Sequence, residues 1–359
     1  MIEFLIRERA AGGRFPMSAD YSFVVLHAFP PPELERAWRC FLGGGELPSH
    51  YCAPEFFREP FWGGKAPFAI LALDRGNVVG VATGIREGPE IQCGQPSRPQ
   101  LLVETSDRTA PVNALTQGLL TEAGRAQVLS VYSWDPLEAL RSCGFRLRPM
   151  EGNVMLDLTL GTELLFKRLD KKRRNNIRFA VKNGLEVFEA STRDDVMAYY
   201  QIFCAWRHSS RKKIVAAETS LEMFEKLQIL KANRRLFLAR HSGKIIAGIS
   251  FRFFPGGLME YAANVSRDQA LCLKPNDLLV WKAIEWGCSE GIRRFSLGGA
   301  HRFLREFGGI VAPIYRYRLD RTWLRRYDLR ESMSDWGREW LRKMPGPVEQ
   351  KVRRVLGKS

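Results

Sequence analysis

Residues 68–84 read FAILALDRGNVVGVATG, two apolar runs on either side of the polar turn Asp74-Arg75-Gly76-Asn77, which spells strand, tight turn, strand. The plan returns at residues 236–252, LFLARHSGKIIAGISFR, with the turn at His241-Ser242-Gly243. One such unit is commonplace, but the residues after each copy also match. The first copy runs through ALTQGLLTEAGRAQVLSVYSW, a helix and a strand, into LRSCGFRLRPMEGNVMLDL. The second runs through LLVWKAIEWGCSEGIRRFSLG into LREFGGIVAPIYRYRL, and both break at an aromatic-glycine pair, Gly144-Phe145 and Phe307-Gly308, before the last strand. Four elements in the same order predict two α/β (α+β) domains, each a mixed central sheet flanked by helices. The expected boundaries are residues 1–156, residues 157–320 and a basic helical tail over 321–359.

A chain of 359 residues is long enough for two cores. Capping signals place further helices: Thr192 with Asp195 and Thr219 with Glu222 have capping-box spacing, and Pro275-Asn276-Asp277 opens LLVWKAIEWGCSE with Asn276 as the expected N-cap and Gly291 closing it.

The formal net charge of +16 points to an anionic partner: nucleic acid, a membrane surface or a phosphorylated substrate. Seven cysteines, odd in number and never spaced as CxxC, read as reduced thiols rather than a disulfide or zinc framework. The start MIEFLIRERAAGG interrupts its apolar run with charges, and no window reaches about 18 apolar residues. The expectation is a cytoplasmic protein, peripheral at most to the inner face of a membrane. His27, His50 and His241 lack metal-ligand spacing, so no metal is expected, and the absence of GxSxG and Walker motifs disfavours a serine hydrolase or P-loop NTPase.

Residues 165–184, LFKRLDKKRRNNIRFAVKNG, concentrate the charge: eight basic side chains against Asp170 alone. On a helical wheel Leu165, Phe166, Leu169, Ile177, Ala180 and Val181 share an apolar stripe, and most basic residues lie outside it. Arg173 is the exception, pointing along the apolar side, where an unpaired charge is costly. It is therefore expected to be paired or functional.

This stretch, together with LKPNDLLVWKAIEWGCSEGIRRFSLGG and LREFGG, resembles the Fem-type (FemAB-like) branch of the GNAT acyltransferases over about residues 155–320; only the architecture agrees before that. The resemblance implies tandem GNAT-like domains and transfer of an acetyl, acyl or aminoacyl group, from acyl-CoA (acetyl-CoA) or aminoacyl-tRNA, to an amine of a cell-envelope or polysaccharide precursor. It implies that the basic helix borders a cleft between the two copies, where Arg173, Arg174, Arg178 and Lys182 face an anionic or lipid-linked substrate, or tRNA. Two departures stand out. Leu304 occupies a position that is Lys in peptidoglycan aminoacyltransferases, so the role of that Lys is either missing or taken over by Arg302 or Arg305. The corner Arg267–Asn276, where the acetyl-CoA branch has a glycine-rich turn, holds no glycine, although Lys274 and Asn276 at a helix N-terminus could still receive an anion.

N-acyl transfer needs a base for the amine and a donor for the developing oxyanion. The strand LMEYAAN (258–264) offers Glu260 as base, Tyr261 as acid or hydroxyl donor and Asn264 for orientation. Strand alternation puts Glu260 and Tyr261 on opposite faces unless the strand bulges. Arg207 and His208 end a helix that could flank the cleft, and His301 follows a strand end, where function often sits. Two other readings compete with an enzyme: a non-catalytic scaffold that keeps the cleft, and a nucleic-acid-binding protein, which predicts steep salt dependence. The tail, with 11 Lys/Arg, five Asp/Glu and tryptophans 323, 336 and 340, suggests either packing on the C-terminal domain or contact with an anionic membrane.

Overall fold

The structure, a computed structural model, describes residues 21–45, 47–59, 65–103, 108–209 and 219–343. The N-terminal half runs β1 (Tyr21–Leu26), α1 (Pro32–Gly44), β2 (Ala66–Asp74), β3 (Asn77–Glu87), β4 (Glu90–Cys93), β5 (Leu101–Val103), α2 (Thr109–Ala123), β6 (Val128–Ser133), α3 (Glu138–Ser142) and β7 (Arg146–Asp157). The C-terminal half runs α4 (Gly161–Arg168), α5 (Lys171–Lys182), β8 (Glu186–Glu189), α6 (Arg193–Ser209), α7 (Ser220–Ile229), β9 (Arg234–His241), β10 (Lys244–Phe253) and β11 (Leu258–Ser266). It continues through α8 (Pro275–Ser289), β12 (Arg294–Ser296), α9 (Arg302–Arg305), β13 (Ile310–Asp320) and α10 (Arg326–Lys343).

The two hairpins seen in the sequence are alike down to the backbone. Arg75 and Gly76 have φ of 49° and 86°, and Ser242 and Gly243 have 48° and 76°. Two consecutive left-handed residues make a type I′ turn, whose twist matches that of the strands it joins. Thr219 and Glu222 form the expected capping box, and Thr192 Oγ1 accepts from Asp195 N while Asp195 Oδ2 accepts from Thr192 N. Asn276 does not cap α8: Lys274, in the left-handed region at φ 60°, precedes Pro275 at the first helical position, so Asn276 lies within the first turn.

All the described strands join one mixed sheet in the order β1, β2, β3, β4, β6, β13, β7, β12, β11, β10, β9, β8, with β5 beside β3 and β6. The last strand of each half sits in the other half's sheet. β13 pairs with β6 through Tyr315–Asp320, and β7 pairs with β12 through Met155–Asp157, while β7 and β13 run antiparallel to each other between them. Gly152 permits this crossing: at φ 85°, any Cβ would lie 2.2 Å from the Ala312 carbonyl oxygen.

Each half has its own core, Leu115 and Leu119 of α2 clustering with Ile70 and Val131, and Leu279 of α8 with Ile249, Phe251 and Phe295. A third cluster spans both, joining Trp38, Leu71 and Trp134 to Met155, Leu258 and Ile314. Burial of apolar surface thus fuses the halves as well as filling them.

Candidate active site at the junction of the halves

After α1 the chain folds into two short 3-10 turns, His50–Cys52 and Pro54–Arg58, and leans on the C-terminal sheet. Pro48 accepts the Leu258 N–H at 2.9 Å, and Arg293 Nη2 donates to the Gly45 carbonyl at 2.6 Å. The contact brings charged groups of both halves together under cover. His50, fully buried, meets Glu59 Oε1 through Nε2 at 2.7 Å. The same carboxylate accepts from Arg234 of β9, with Lys226 of α7 at 3.9 Å. Burial alone would raise the Glu59 pKa, but Arg234 and His50 hold it far below the carboxylate range.

Beside this pair stands Tyr51, its ring covered by the Arg98 guanidinium at 4.5 Å and the Arg252 guanidinium at 5.0 Å. Arg98 Nη1 also donates to the Tyr51 hydroxyl at 2.5 Å. Glu260 lies directly across the hairpin from Arg252 and is 1% exposed. Neither carboxylate oxygen has a hydrogen-bond partner among the described residues. Burial pushes its pKa up to about 7, against the opposing pull of Arg98 and Arg252 and with some help from Glu59. A buried carboxyl titrating near neutrality between two cations is a functional-site signature.

Two recesses flank this group. One, of about 200 Å³, is lined by Tyr51, Glu59, Gln95, Arg98, Lys226 and Arg252 among others. The second, of about 190 Å³, lies against Tyr199, Phe203, Ser250 and Ala262–Ala263, and shares Lys226 and Arg252 with the first. The second lies at a break in the sheet: the β10–β11 register slips between Ser250 and Phe251, leaving Ala262 as the extra residue. β12 pairs with β11 only from Leu258 to Glu260, so beyond Glu260 the two strands part. Gly298 lines that gap at φ 78°, where a Cβ would stand 3.6 Å from the Tyr261 carbonyl oxygen.

The sequence candidates scatter around this site. Glu260 is in it. Tyr261 is not: the bulge comes after it, so it keeps the opposite face, across from Phe251, and packs on the core beneath α8 with its phenol pKa raised by burial. His301 begins α9, exposed, and lines a separate open recess with Arg168, Arg302, Arg305 and Glu306. The basic helix α5 packs against α8, and none of its residues lines either junction recess. Arg173, Arg174, Arg178 and Lys182 therefore stand apart from these two recesses.

Arg173 is instead a clamp: Nη1 meets Asp277 of α8 at 2.6 Å, Nη2 meets Glu306 at 2.6 Å, and the Phe303 ring lies 4.4 Å away. Arg174 donates to the Lys167 carbonyl at 2.9 Å and to that of Leu169, closing the end of α4. Arg178 lies over Phe166 at 5.4 Å, and Lys182 is exposed in the last turn. Arg207 is buried on α6 against Phe203; the His208 side chain and residues 210–218 lie outside the described residues.

Asn264 Nδ2 donates to the Asn276 carbonyl at 3.2 Å and Asn276 Nδ2 to Ser266 Oγ at 3.3 Å, tying β11 to the start of α8. Both side-chain carbonyl oxygens there are buried without partners among the described residues. Lys274 precedes the same helix N-terminus. Leu304 is core, 3% exposed. Arg302 pairs with Glu306, and Arg305 binds the Ala300 carbonyl and Glu151, so both arginines are engaged.

Sequence reasoning missed Tyr51, Arg98, Lys226, Arg252 and the His50–Glu59–Arg234 set. A signal for one existed: in FRFFPGGLME, residues 252–253 and 259–260 close a hairpin around Pro255-Gly256-Gly257, which puts Arg252 opposite Glu260.

The family model described as an acetyltransferase (GNAT) domain matches residues 171–306. No curated protein sequence matches the chain. Among solved structures, FemX is similar at a TM-score of 0.59 and 12% identity, covering 79% of this chain and 95% of that one. A tandem GNAT protein from the clavulanic acid biosynthesis pathway gives 0.52 and 13%, covering 84% and 99%. L-PGS from Bacillus licheniformis gives 0.52 and 12%, covering 83% and 93%. At such identities the likeness is one of fold, whereas the family match reaches the sequence of α5, β11, α8 and α9. The chain therefore matches the acetyltransferase (GNAT) domain model over residues 171–306 and shares its overall fold with FemX and with the tandem GNAT protein.

Proposed function

We propose that this chain is an N-acyltransferase that moves an acyl group from coenzyme A to an amine, with Glu260 as the general base. The observation that carries the reading is the buried Glu260 carboxylate, without a hydrogen-bond partner among the described residues and titrating near pH 7 between Arg98 and Arg252 at the junction of the halves.

The residues present fit an acyl-CoA. Beyond Glu260 the β11 backbone is free of β12, Gly298 adds no side chain of its own to that gap, and the buried side-chain carbonyls of Asn264 and Asn276 have no donor among the described residues. The first turn of α8, next to Lys274, would take the phosphates. Asp277 in that turn would repel them, but the Arg173 guanidinium pairs with it and Asn176 donates to it. When bound, the thioester supplies the activated carbonyl.

Glu260 takes the proton that the amine must lose as its nitrogen bonds to the acyl carbon, while the carbon–sulfur bond breaks and the sulfur leaves with its electron pair, taking a proton to depart as the free thiol. A carboxyl near pKa 7 is about half ionised at neutral pH, so it can accept that proton and release it again to solvent. The larger recess is lined by Lys65, Arg98, Lys226 and Arg252 and by Glu59, Glu87 and Glu90, a mixed wall suited to an amine that also bears a phosphate or carboxylate. A cell-envelope or polysaccharide precursor has that chemistry. The two recesses share Arg252, the residue opposite Glu260 on the hairpin, and would hold acceptor and acyl chain there; positioning then supplies much of the rate.

The test is calorimetric titration with acetyl-CoA and with charged tRNA, followed by release of free CoA thiol in the presence of amino-sugar phosphates and diamino acids. Saturable acetyl-CoA binding and amine-dependent thiol release are expected. Glu260→Gln should lower turnover by about 10²–10⁴ and leave acetyl-CoA affinity unchanged. Binding of charged tRNA alone would overturn the donor, and turnover unaffected by Glu260→Gln would overturn the base.

A further inference from the structure

Helix α10 is amphipathic in the wrong sense for a helix packed on a core. Its acids Asp328, Glu331 and Asp335 face inward: Glu331 meets Arg316, Arg318 and Arg148, Asp328 meets Arg318, Arg325 and Arg146, and Asp335 meets Arg148. On the wheel Asp328, Glu331 and Asp335 fall within a sector of about 60°, and Leu329, Met333, Trp336 and Trp340 fill another of about 60°, centred about 140° away. The apolar sector faces outward: Leu329, Met333, Trp336 and Trp340 are 54%, 66%, 70% and 49% exposed. Trp336 and Trp340 stack there at 6.4 Å. Trp323 and Leu324, just ahead of the helix, are 82% and 64% exposed, and Leu324 is held at φ 57°. That backbone costs a branched residue about 1 kcal/mol or more, yet its side chain gains no burial in return.

A monomer exposing four large apolar residues in one stripe leaves a surface built for contact. The charge around the stripe says what it contacts. Arg326 and Arg330, both exposed, flank the apolar sector on one side, while Asp328, Glu331 and Asp335 are all turned toward the protein. The outward side that remains is apolar and cationic, on a chain of net charge +16. Tryptophan beside arginine suits the boundary between lipid headgroups and acyl chains. No helix among the described residues is long and apolar enough to cross a membrane.

We infer that the outer face of α10, with Trp323 and Leu324, is a docking surface for an anionic lipid bilayer, on which the helix lies parallel to the membrane plane. The ionic inner face keeps it attached to β13 and β7 meanwhile. This inference stands apart from the reaction proposed above.

The test is flotation of the full chain with vesicles of phosphatidylcholine alone and of phosphatidylcholine with phosphatidylglycerol, at low salt and at about 0.15 M. Binding to the phosphatidylglycerol vesicles only, weakened by salt, is expected. A Met333→Ser, Trp336→Ser, Trp340→Ser variant should lose that binding by about tenfold or more and melt at the unchanged temperature. Arg326→Gln with Arg330→Gln should weaken binding and flatten its salt dependence. Equal binding to uncharged vesicles, undiminished binding of the triple variant, or no vesicle binding combined with a dimer in light scattering that the triple variant abolishes would each overturn the inference; the last would assign the face to a second copy of the chain.

Discussion

Replacing Arg173 by Gln tests whether the basic helix α5 serves structure or substrate. In the fold this guanidinium is 6% exposed by residue and satisfies two carboxylates on different elements, Asp277 at the start of α8 and Glu306 after α9. Removing one partner of a buried ionic set costs about 3–5 kcal/mol, because the remaining charges stay desolvated. Two features soften the loss. Asp277 keeps Asn176 at 3.2 Å and sits at a helix N-terminus, worth about 0.5–1 kcal/mol, and Glu306 keeps Arg302 at 2.8 Å. The expected net loss is about 3 kcal/mol; with an unfolding entropy of about 2.1 cal/mol/K per residue, cooperative unfolding of the whole chain would lower Tm by about 4 °C. Calorimetry and urea titration check it, the urea midpoint falling with the slope unchanged. In a double-mutant cycle, Asp277→Asn added to Arg173→Gln should cost less than the sum of the two. A Tm within about 1 °C of the parent, together with lost turnover, would refute the clamp and return Arg173 to the substrate.

The junction and α10 carry further expectations. The log of kcat/KM should fall with unit slope as pH drops below about 7, since only ionised Glu260 accepts a proton; Arg98→Gln, by removing a cation that favours the ionised form, should move this limb to higher pH. The folded-state pKa of Glu260 lies above its unfolded value, so its contribution favours folding at low pH and is lost as pH rises through about 7. Glu260→Gln should therefore stabilise the protein by on the order of 3 kcal/mol at pH 8 and by almost nothing at pH 4, measured by chemical denaturation. Glu59 has the opposite sign: depressed in the fold, it contributes stability above its unfolded pKa that is lost in acid, and Glu59→Gln should flatten the acid side of the stability curve. Asp320 accepts from the backbone of Thr322, Tyr327 and Asp328 and so caps α10; Asp320→Ala should cost about 1–2 kcal/mol and reduce helical circular dichroism.

The hairpins at residues 68–84 and 236–252 were legible because a type I′ turn leaves a local signature, two residues tolerant of positive φ between alternating apolar runs. Glu260 was legible for a similar reason, as an acid inside an apolar strand. Arg98, Tyr51 and His50 were not, since they belong to loops of one half that become neighbours of Glu260 only when the halves close on each other. The basic stretch at 165–184 shows the limit of a wheel: it singled out Arg173 as anomalous but could not say that its partners lie 104 and 133 residues further on. Nor does periodicity tell a strand which neighbour to take, and so the exchange of β7 and β13 was invisible.

That exchange has a consequence for synthesis. Until residues 310–320 leave the ribosome, β6 and β7 have no strand to lie between them, and the first half waits for the very end of the second. A polypeptide stopped at Gly309 would present two raw strand edges to every other nascent chain nearby. Closure of the sheet is therefore a late event, and a chain truncated before Ile310 should yield inclusion bodies instead of a soluble amino-terminal fragment.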